Sequence, residues 1–365
     1  MEQSGGQPGL VIACGGTGGH LFPGLAVAEA WTARGGRVVM LVSEKKIDQE
    51  ASRKYADYRF ETIPAALKPA TFSPKMVPFL WGLWRTIGRC REIQAEFRAA
   101  AVLGMGGFTS LPPVVAARRA GIPAFVHDSN ALPGKANRLT ARWCREVFLG
   151  LEAARRHFPG KQCVVTGTPV RDELRRLPGR PEAAAKLGLD PSRPVVLVMG
   201  GSQGARRLNA LVVEAADRFP GGTQVLHIAG PGEHERVASQ VGTRDGYRVL
   251  GFCDDMASAY AACDAAIARA GASSLTELAF LGLPSVLVPY PFAADDHQTA
   301  NARVFAEAGA AFLEQEAELD AEKLADRVAR MLTPGAREEM AASARTLSVP
   351  DAAGQVCAAI EEVLP

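Results

Sequence analysis

The sequence predicts an α/β fold of two Rossmann-like, doubly wound domains facing each other across a cleft, and three observations carry that reading. Short, fully apolar runs alternate with helical stretches along the whole chain, the pattern of a parallel sheet covered on both faces. Two of those runs, LVIAC at Leu10–Cys14 and VVLVM at Val195–Met199, pass straight into glycine clusters that open helices, some 185 residues apart. Between Glu173 and Pro194 the chain turns charged and Pro/Gly-containing, as a linker does, and 365 residues suit two domains of about 150 each better than one.

The elements follow in order. Leu10–Cys14 reads as a buried strand, then a turn and an apolar-periodic helix through Ala33. Further strands are expected at Val38–Val42, Phe60–Ile63, Ala100–Leu103, Ala124–Val126, Val147–Leu149 and Cys163–Thr166, with helices between them. A short helix over Pro181–Leu187 precedes the second start at Val195–Met199, followed by GGSQGA and a helix from Arg207 to Arg218. Val225–Ala229, Tyr247–Leu250, Ala265–Ala268, Ser285–Val288 and Ala311–Leu313 complete the second sheet. Ligands of such sheets sit outside the carboxyl ends of the strands, so the cleft is the expected site.

Composition narrows the class. A hydrophobic fraction of 47% with 22% charged residues excludes a disordered chain. No apolar run approaches the roughly 20 residues of a membrane-spanning helix, and Met1–Gly9 lacks the basic start of a secretory signal. The seven cysteines (14, 90, 144, 163, 253, 263 and 357) form no CxxC pair and read as reduced core thiols of a soluble cytoplasmic protein. The net charge of +2 hides an asymmetry: residues 1–180 hold 26 Lys+Arg against 14 Asp+Glu, and residues 181–365 hold 15 against 25. A +12 half can face anionic lipid, nucleic acid or a phosphorylated substrate, or be a solvated surface of drifting composition.

Three glycine- and hydroxyl-rich turns enter helices after strands: GGTGGH (Gly15–His20), GGSQGA (Gly200–Ala205) and RAGASSLTE (Arg269–Glu277). Such turns bring backbone N–H groups and the positive helix end to an anion. GGTGGH fails as a dinucleotide fingerprint, because Leu21 stands where the third glycine belongs. His20, just inside a helix N-terminus, is a candidate base or a simple cap. Gly200–Gly204 is also a literal G-x-S-x-G, the nucleophile elbow of serine hydrolases, but without an HGGG-type oxyanion segment; Ser202 reads better as a phosphate ligand. Glu277, in the first turns of a helix expected over Leu275–Leu281, suits either dipole compensation or a grip on ribose hydroxyls. In the loop Pro289–Asn301, Asp295 and Asp296 read as helix N-caps, and His297 and Gln298 as groups for a sugar. No spacing of His, Cys and Asp suggests a metal site. Finally, Phe79, Leu80, Trp81 and Trp84 with Arg85 and Arg89 match an interfacial amphipathic helix that contacts an anionic membrane surface, or an ordinary sheet-covering helix.

GGTGGH, GGFTSLP, HDSN, GTPVR, GGSQGA, RAGASSLTE and PYPFAADDHQTANA occur in the order and spacing of one family, from Gly15 to the end of the chain. Through them the sequence closely resembles the MurG family of glycosyltransferase family 28, the UDP-N-acetylglucosamine:undecaprenyl-pyrophosphoryl-MurNAc-pentapeptide N-acetylglucosaminyltransferases of peptidoglycan synthesis. The resemblance implies a GT-B fold: residues 1–172 as acceptor and membrane-facing domain, 173–345 as UDP-GlcNAc domain, and a last helix within 346–365 returning to the first. It implies transfer of GlcNAc from UDP-GlcNAc to lipid I with inversion, without metal or other cofactor, at the cytoplasmic face of the inner membrane and without nucleic acid; protein partners are not indicated.

Carried over motif by motif, Thr17, Gly18 and Gly19 approach the donor sugar and acceptor, with His20 as the candidate base. Asn130 touches the sugar, while Arg171 and Ser202 hold the diphosphate. Backbone near Cys253 reads the uracil. Ala272, Ser273, Ser274, Leu275, Thr276 and Glu277 cradle phosphate and ribose, and Gln298 contacts the GlcNAc hydroxyls. HDSN stands where many members have HEQN, and Thr168 where many have Asn. A glycolipid synthase using another UDP-sugar would share the fold and phosphate loops; a UDP-sugar epimerase, a serine hydrolase acting through Ser202 and a non-catalytic nucleotide-sugar sensor are the other competing readings.

Overall fold

The computed structural model describes residues 7–16, 18–45, 55–64, 74–201 and 205–364. The chain divides into two compact units, Met1–Arg171 with Val349–Pro365, and Asp172–Ser348.

In the first unit seven parallel strands lie in the order β3-β2-β1-β4-β5-β6-β7. They are β1 (Gly9–Ala13), β2 (Arg37–Val42), β3 (Arg59–Thr62), β4 (Ala99–Gly104), β5 (Ala124–Asp128), β6 (Glu146–Leu149) and β7 (Gln162–Val165). The reversal of strand order beside β1 makes the ends of β1 and β4 a topological switch point. β1 shows why the runs are apolar throughout. Leu10 and Ile12 enter one core with the helix Gly18–Ala33, whereas Val11 and Ala13 enter another with the helices Met76–Phe97 and Leu111–Ala120. Both faces are covered, so no position can be polar. The helix Gly18–Ala33 is itself buried over much of its circumference, because Ala352–Glu361 packs over it through Val356, Cys357 and Ile360. An Arg34–Glu361 ion pair at 2.7 Å fastens the edge of that contact.

The second unit has six parallel strands in the order β10-β9-β8-β11-β12-β13. They are β8 (Val195–Met199), β9 (Gln224–Ile228), β10 (Tyr247–Leu250), β11 (Ala265–Ala268), β12 (Ser285–Leu287) and β13 (Ala311–Leu313). Val196 and Val198 face a core shared with the helices Arg206–Ala215 and Ala321–Leu332. At the opposite end from the glycine turns, Asp264 gathers Arg180 (2.8 Å), Arg337 (2.9 Å) and the Val195 amide (2.9 Å), fixing the entering chain and the helix Pro334–Thr346 to the sheet.

Two helix expectations are corrected. The helix within RAGASSLTE begins at Ala272 rather than Leu275, because a first turn needs no apolar periodicity, only the extended Gly271 before it. Asp296 occupies the N-cap position of His297–Glu307, yet its side chain makes no capping hydrogen bond; Asp295 and Asp296 both have φ of +53°, which turns them away from the cap geometry.

Each unit buries one uncharged histidine. His127 on β5 is fully buried and donates from Nε2 to the Gly167 carbonyl at 2.9 Å. His227 on β9 contacts Asn209 Oδ1 through Nε2 (3.0 Å) and the Tyr247 hydroxyl through Nδ1 (2.8 Å). Burial lowers both to about 4 from the usual 6.5. Above pH 6.5 folded and unfolded rings are alike neutral. Below it the unfolded chain takes up protons that the fold refuses, so stability falls as pH drops from 6.5 towards 4. The loss reaches on the order of 3 kcal/mol for each unit. Urea midpoints taken across that range should show the decline, and His227→Asn should remove one step from the second unit; an unchanged acid slope in the variant would show that another group carries it.

Candidate active site

The first unit assembles its candidate residues around two glycine turns. At Gly15 a β-carbon would lie 2.4 Å from the Ser43 amide nitrogen, so only glycine lets the chain leave β1 this close to β2. The helix then starts at Gly18, which puts Gly18, Gly19 and His20 in its first turn. The His20 ring rests against the second turn, at the end of β4: a β-carbon on Gly106 would lie 2.8 Å from both Cδ2 and Nε2 of that ring. Thr109 Oγ1 ties the two turns by donating to the Gly15 carbonyl at 2.8 Å. Lys45, which the sequence reading did not single out, donates from Nζ to the Gly16 carbonyl at 2.8 Å.

β5 delivers the next group. Asp128 Oδ1 accepts from the Asn130 amide (2.9 Å) and from Asn130 Nδ2 (3.3 Å), while Oδ2 accepts from Asn137 Nδ2 (2.8 Å). Burial pushes the Asp128 carboxyl above its ordinary range, against the pull of those donors. Asn130 is therefore held by an Asx turn at a strand end, half-buried beside the chain. Arg171, also half-buried, stacks its guanidinium over the Phe22 ring, 4.8 Å from the centroid and two residues beyond His20. Thr17 lies outside the described residues.

In the second unit β8 leads into Gly200 and Gly201, the latter at φ +89°; Ser202 lies outside the described residues. β11 leads into the loop before the helix Ala272–Leu281. Ala272, Ser273 and Ser274 occupy its first turn, half-buried, at the positive end of the helix dipole. Thr276 Oγ1 turns back to the Ala272 carbonyl at 2.9 Å. Leu275 differs from its neighbours: its side chain is buried and its N–H bonds Gly271 O. Glu277 is half-buried and accepts from the Tyr260 hydroxyl at 2.7 Å.

Gln298 Oε1 accepts from the amides of Ala270 (3.2 Å) and Tyr290 (3.0 Å), leaving its NH2 as the group able to meet a sugar. Arg269 is buried beneath this loop, paired with Glu316 and donating to the Val288 and Pro289 carbonyls at 3.1 Å. Cys253 is buried with its thiol donating to the Asp255 carbonyl at 3.3 Å. The supporting roles of Tyr260, Lys45 and the Arg269 side chain were missed because their partners lie 17, 29 and up to 47 residues away, and that of Asn137 because its partner Asp128 is in the preceding strand. Among the described residues no group of three His, Cys, Asp or Glu side chains is gathered as a metal-ligand set.

The proposed membrane helix, Met76–Phe97, buries Thr86, Cys90, Ile93, Gln94 and Phe97. Leu80, Trp81 and Trp84 are more than half exposed, and the neighbouring Arg85 and Arg89 are exposed; Arg85 stacks over Trp81 at 4.7 Å. Phe79 instead turns inward, half-buried and edge-on to Phe108 at 5.8 Å. Among the described residues no helix is long and apolar enough to cross a membrane.

Two parallel-sheet units, each opening on a glycine turn beneath a helix N-terminus, are the two halves of a GT-B fold. Residues 10–149 match the glycosyltransferase family 28 N-terminal domain and residues 195–356 the family 28 C-terminal domain. The chain is 38% identical, over 98% of its length and 99% of the relative's, to the UDP-N-acetylglucosamine--N-acetylmuramyl-(pentapeptide) pyrophosphoryl-undecaprenol N-acetylglucosamine transferase of Synechococcus elongatus. It superimposes on the crystal structure of Acinetobacter baumannii MurG with a TM-score of 0.78 and 28% identity, over 98% of this chain and all of that one. A putative UDP-N-acetylglucosamine 2-epimerase from Listeria monocytogenes, at 14% identity, TM-score 0.72 and 98% and 96% coverage, shares the fold alone. The chain belongs to the MurG family of glycosyltransferase family 28.

The His20–Gly106 contact generates a test. Gly106→Ala would press a β-carbon into the imidazole and onto a backbone at φ +123°, so the kcat of sugar transfer should fall at least about tenfold while the circular dichroism spectrum is kept. An unchanged kcat would mean that the ring position is not used.

Proposed function

We infer that the protein transfers N-acetylglucosamine from UDP-GlcNAc to the C4 hydroxyl of MurNAc in undecaprenyl-pyrophosphoryl-MurNAc-pentapeptide, converting lipid I to lipid II. The observation that carries this is the 38% identity, across essentially both full chains, to the relative of that activity. The first unit takes the lipid-linked acceptor and the second takes the nucleotide sugar.

The chemistry follows from the groups present. The acceptor hydroxyl attacks the anomeric carbon opposite the leaving UDP, so an α-linked donor gives a β-linked product. His20, in the first turn of the helix Gly18–Ala33 with its ring against Gly106, takes the hydroxyl proton. Thr17, Gly18, Gly19 and Asn130 position the reacting sugars. The departing diphosphate gains negative charge, which Arg171, Ser202 and the first-turn amides at Ala272, Ser273 and Ser274 stabilise without a metal. Leu275 and Thr276 complete that turn, Glu277 holds the ribose hydroxyls, the backbone at Cys253 reads the uracil, and the Gln298 NH2 donates to a GlcNAc hydroxyl.

The same reading makes this a peripheral enzyme of the cytoplasmic face of the bacterial inner membrane, serving cell-wall growth, shape and division. The exposed Leu80, Trp81 and Trp84 can enter the interface while Arg85 and Arg89 meet anionic headgroups. A groove along that helix, lined by Trp84, Arg85, Arg89 and Arg119, has the matching character; Phe79 supports the helix from inside.

Two measurements test this. Labelled GlcNAc should pass from UDP-GlcNAc to a polyprenyl-pyrophosphoryl-MurNAc-pentapeptide in excess EDTA, giving β-linked product and one UDP per transfer. Activity only with added magnesium would overturn the metal-free site, and UDP-GlcNAc consumption without lipid would replace transfer by epimerisation. Trp81→Ser, Trp84→Ser and Arg85→Gln together should weaken binding to anionic vesicles at least about tenfold; unchanged partitioning would remove this helix from the membrane contact.

A further inference from the structure

Tyr260 is buried in the second unit, at 3% exposure, on the helix Met256–Ala262. Its hydroxyl donates to Glu277 Oε2 at 2.7 Å and lies 3.7 Å from Met199 Sδ, the last residue of β8 before the Gly200–Gly201 turn. A phenol at that distance from a carboxylate makes a charge-assisted hydrogen bond, among the stronger kinds in proteins. One carboxylate oxygen of Glu277 is thereby engaged from within the unit, and the torsions of a side chain with three rotatable bonds are restrained.

The helix that carries Tyr260 is anchored in its turn. Asp255 caps it by accepting from the Ser258 amide (2.9 Å) and hydroxyl (2.7 Å), and is held from outside by Lys186. Those contacts keep the Asp255 carboxyl at about 2. Its backbone carbonyl accepts from the Cys253 thiol. The segment assigned to the uracil and the carboxylate assigned to the ribose are thus joined through one short helix.

We propose that Tyr260 is the positioning residue of the ribose subsite, setting the Glu277 carboxylate so that the enzyme selects ribonucleotide over 2′-deoxyribonucleotide sugar donors. This rests on the placement of Glu277 against the ribose. The selectivity has a physical origin. A carboxylate fixed in advance loses little freedom on meeting a 2′-hydroxyl, and it is left facing nothing when that hydroxyl is missing. A carboxylate free to swing keeps neither property.

Tyr260→Phe deletes the hydroxyl and keeps the buried ring, and thermal melting without nucleotide checks that the unit stays folded. The readout is the ratio of kcat/KM for UDP-GlcNAc to that for its 2′-deoxyuridine analogue. The wild type should favour the ribonucleotide by at least about tenfold, the scale of one hydrogen bond to a charged group. In the variant the ratio should fall towards one, mainly through a higher KM for UDP-GlcNAc at nearly constant kcat. In a Glu277→Gln background the same change should leave the ratio where Glu277→Gln alone puts it. A variant that slows both donors equally and keeps the ratio overturns the proposal, because a purely structural tyrosine would act that way. A wild type indifferent to the 2′-hydroxyl overturns the ribose placement itself, and this inference with it.

Discussion

A parallel strand cannot be joined to its neighbour by a tight hairpin; the chain must cross over one face of the sheet and start again from the same end. Everything functional in this molecule depends on that constraint. Each crossover helix leaves from a carboxyl end of a strand, so the turns at Gly15, Gly106, Gly200 and Gly271 fall at the carboxyl edge of their own sheet. Helix N-termini gather there, and with them the amides and the positive dipole ends that a diphosphate or an attacking hydroxyl can use. No separate invention is needed to place these groups together; covering both faces of a sheet does so.

The glycines at this edge have two different physical jobs. Gly15 serves packing, since the neighbouring strand's backbone occupies the space of any side chain, whereas Gly106 makes room for an imidazole that belongs to another turn. A sequence motif cannot distinguish these, because both read as glycine before a helix. Substituting the first would disturb the sheet, and substituting the second would disturb the His20 ring and strain its own turn.

What could be read from the sequence follows the same division. β8, β10, β11 and β13 were legible to the residue because their apolar runs begin and end sharply. β5 and β6 were read short, since Asp128 and Glu146 are strand residues whose charge argued for a loop; Asp128 is tolerated inside by the donors of Asn130 and Asn137. Motif residues at strand ends could be named because their chemistry is local. Supporting contacts such as Tyr260 to Glu277, or Lys45 to Gly16, could not, since they join segments 17 and 29 residues apart through side chains of ordinary surface or core type. The inward turn of Phe79 was hidden for the same reason: its partner Phe108 lies beyond the next strand.

The helix Ala352–Glu361 completes the first unit although 177 residues of the second, Asp172–Ser348, are made before it. Val356, Cys357 and Ile360 belong to the same core as Leu10 and Trp31, so that core stays open on one side while the ribosome makes the second unit. Domains usually finish folding in the order of synthesis. Here the order of completion is inverted: the unit that starts first must wait with an exposed apolar flank, and the inserted unit is the first that can close. The time that apolar flank spends uncovered is therefore set by the length of the insertion, not by the size of the unit that needs covering.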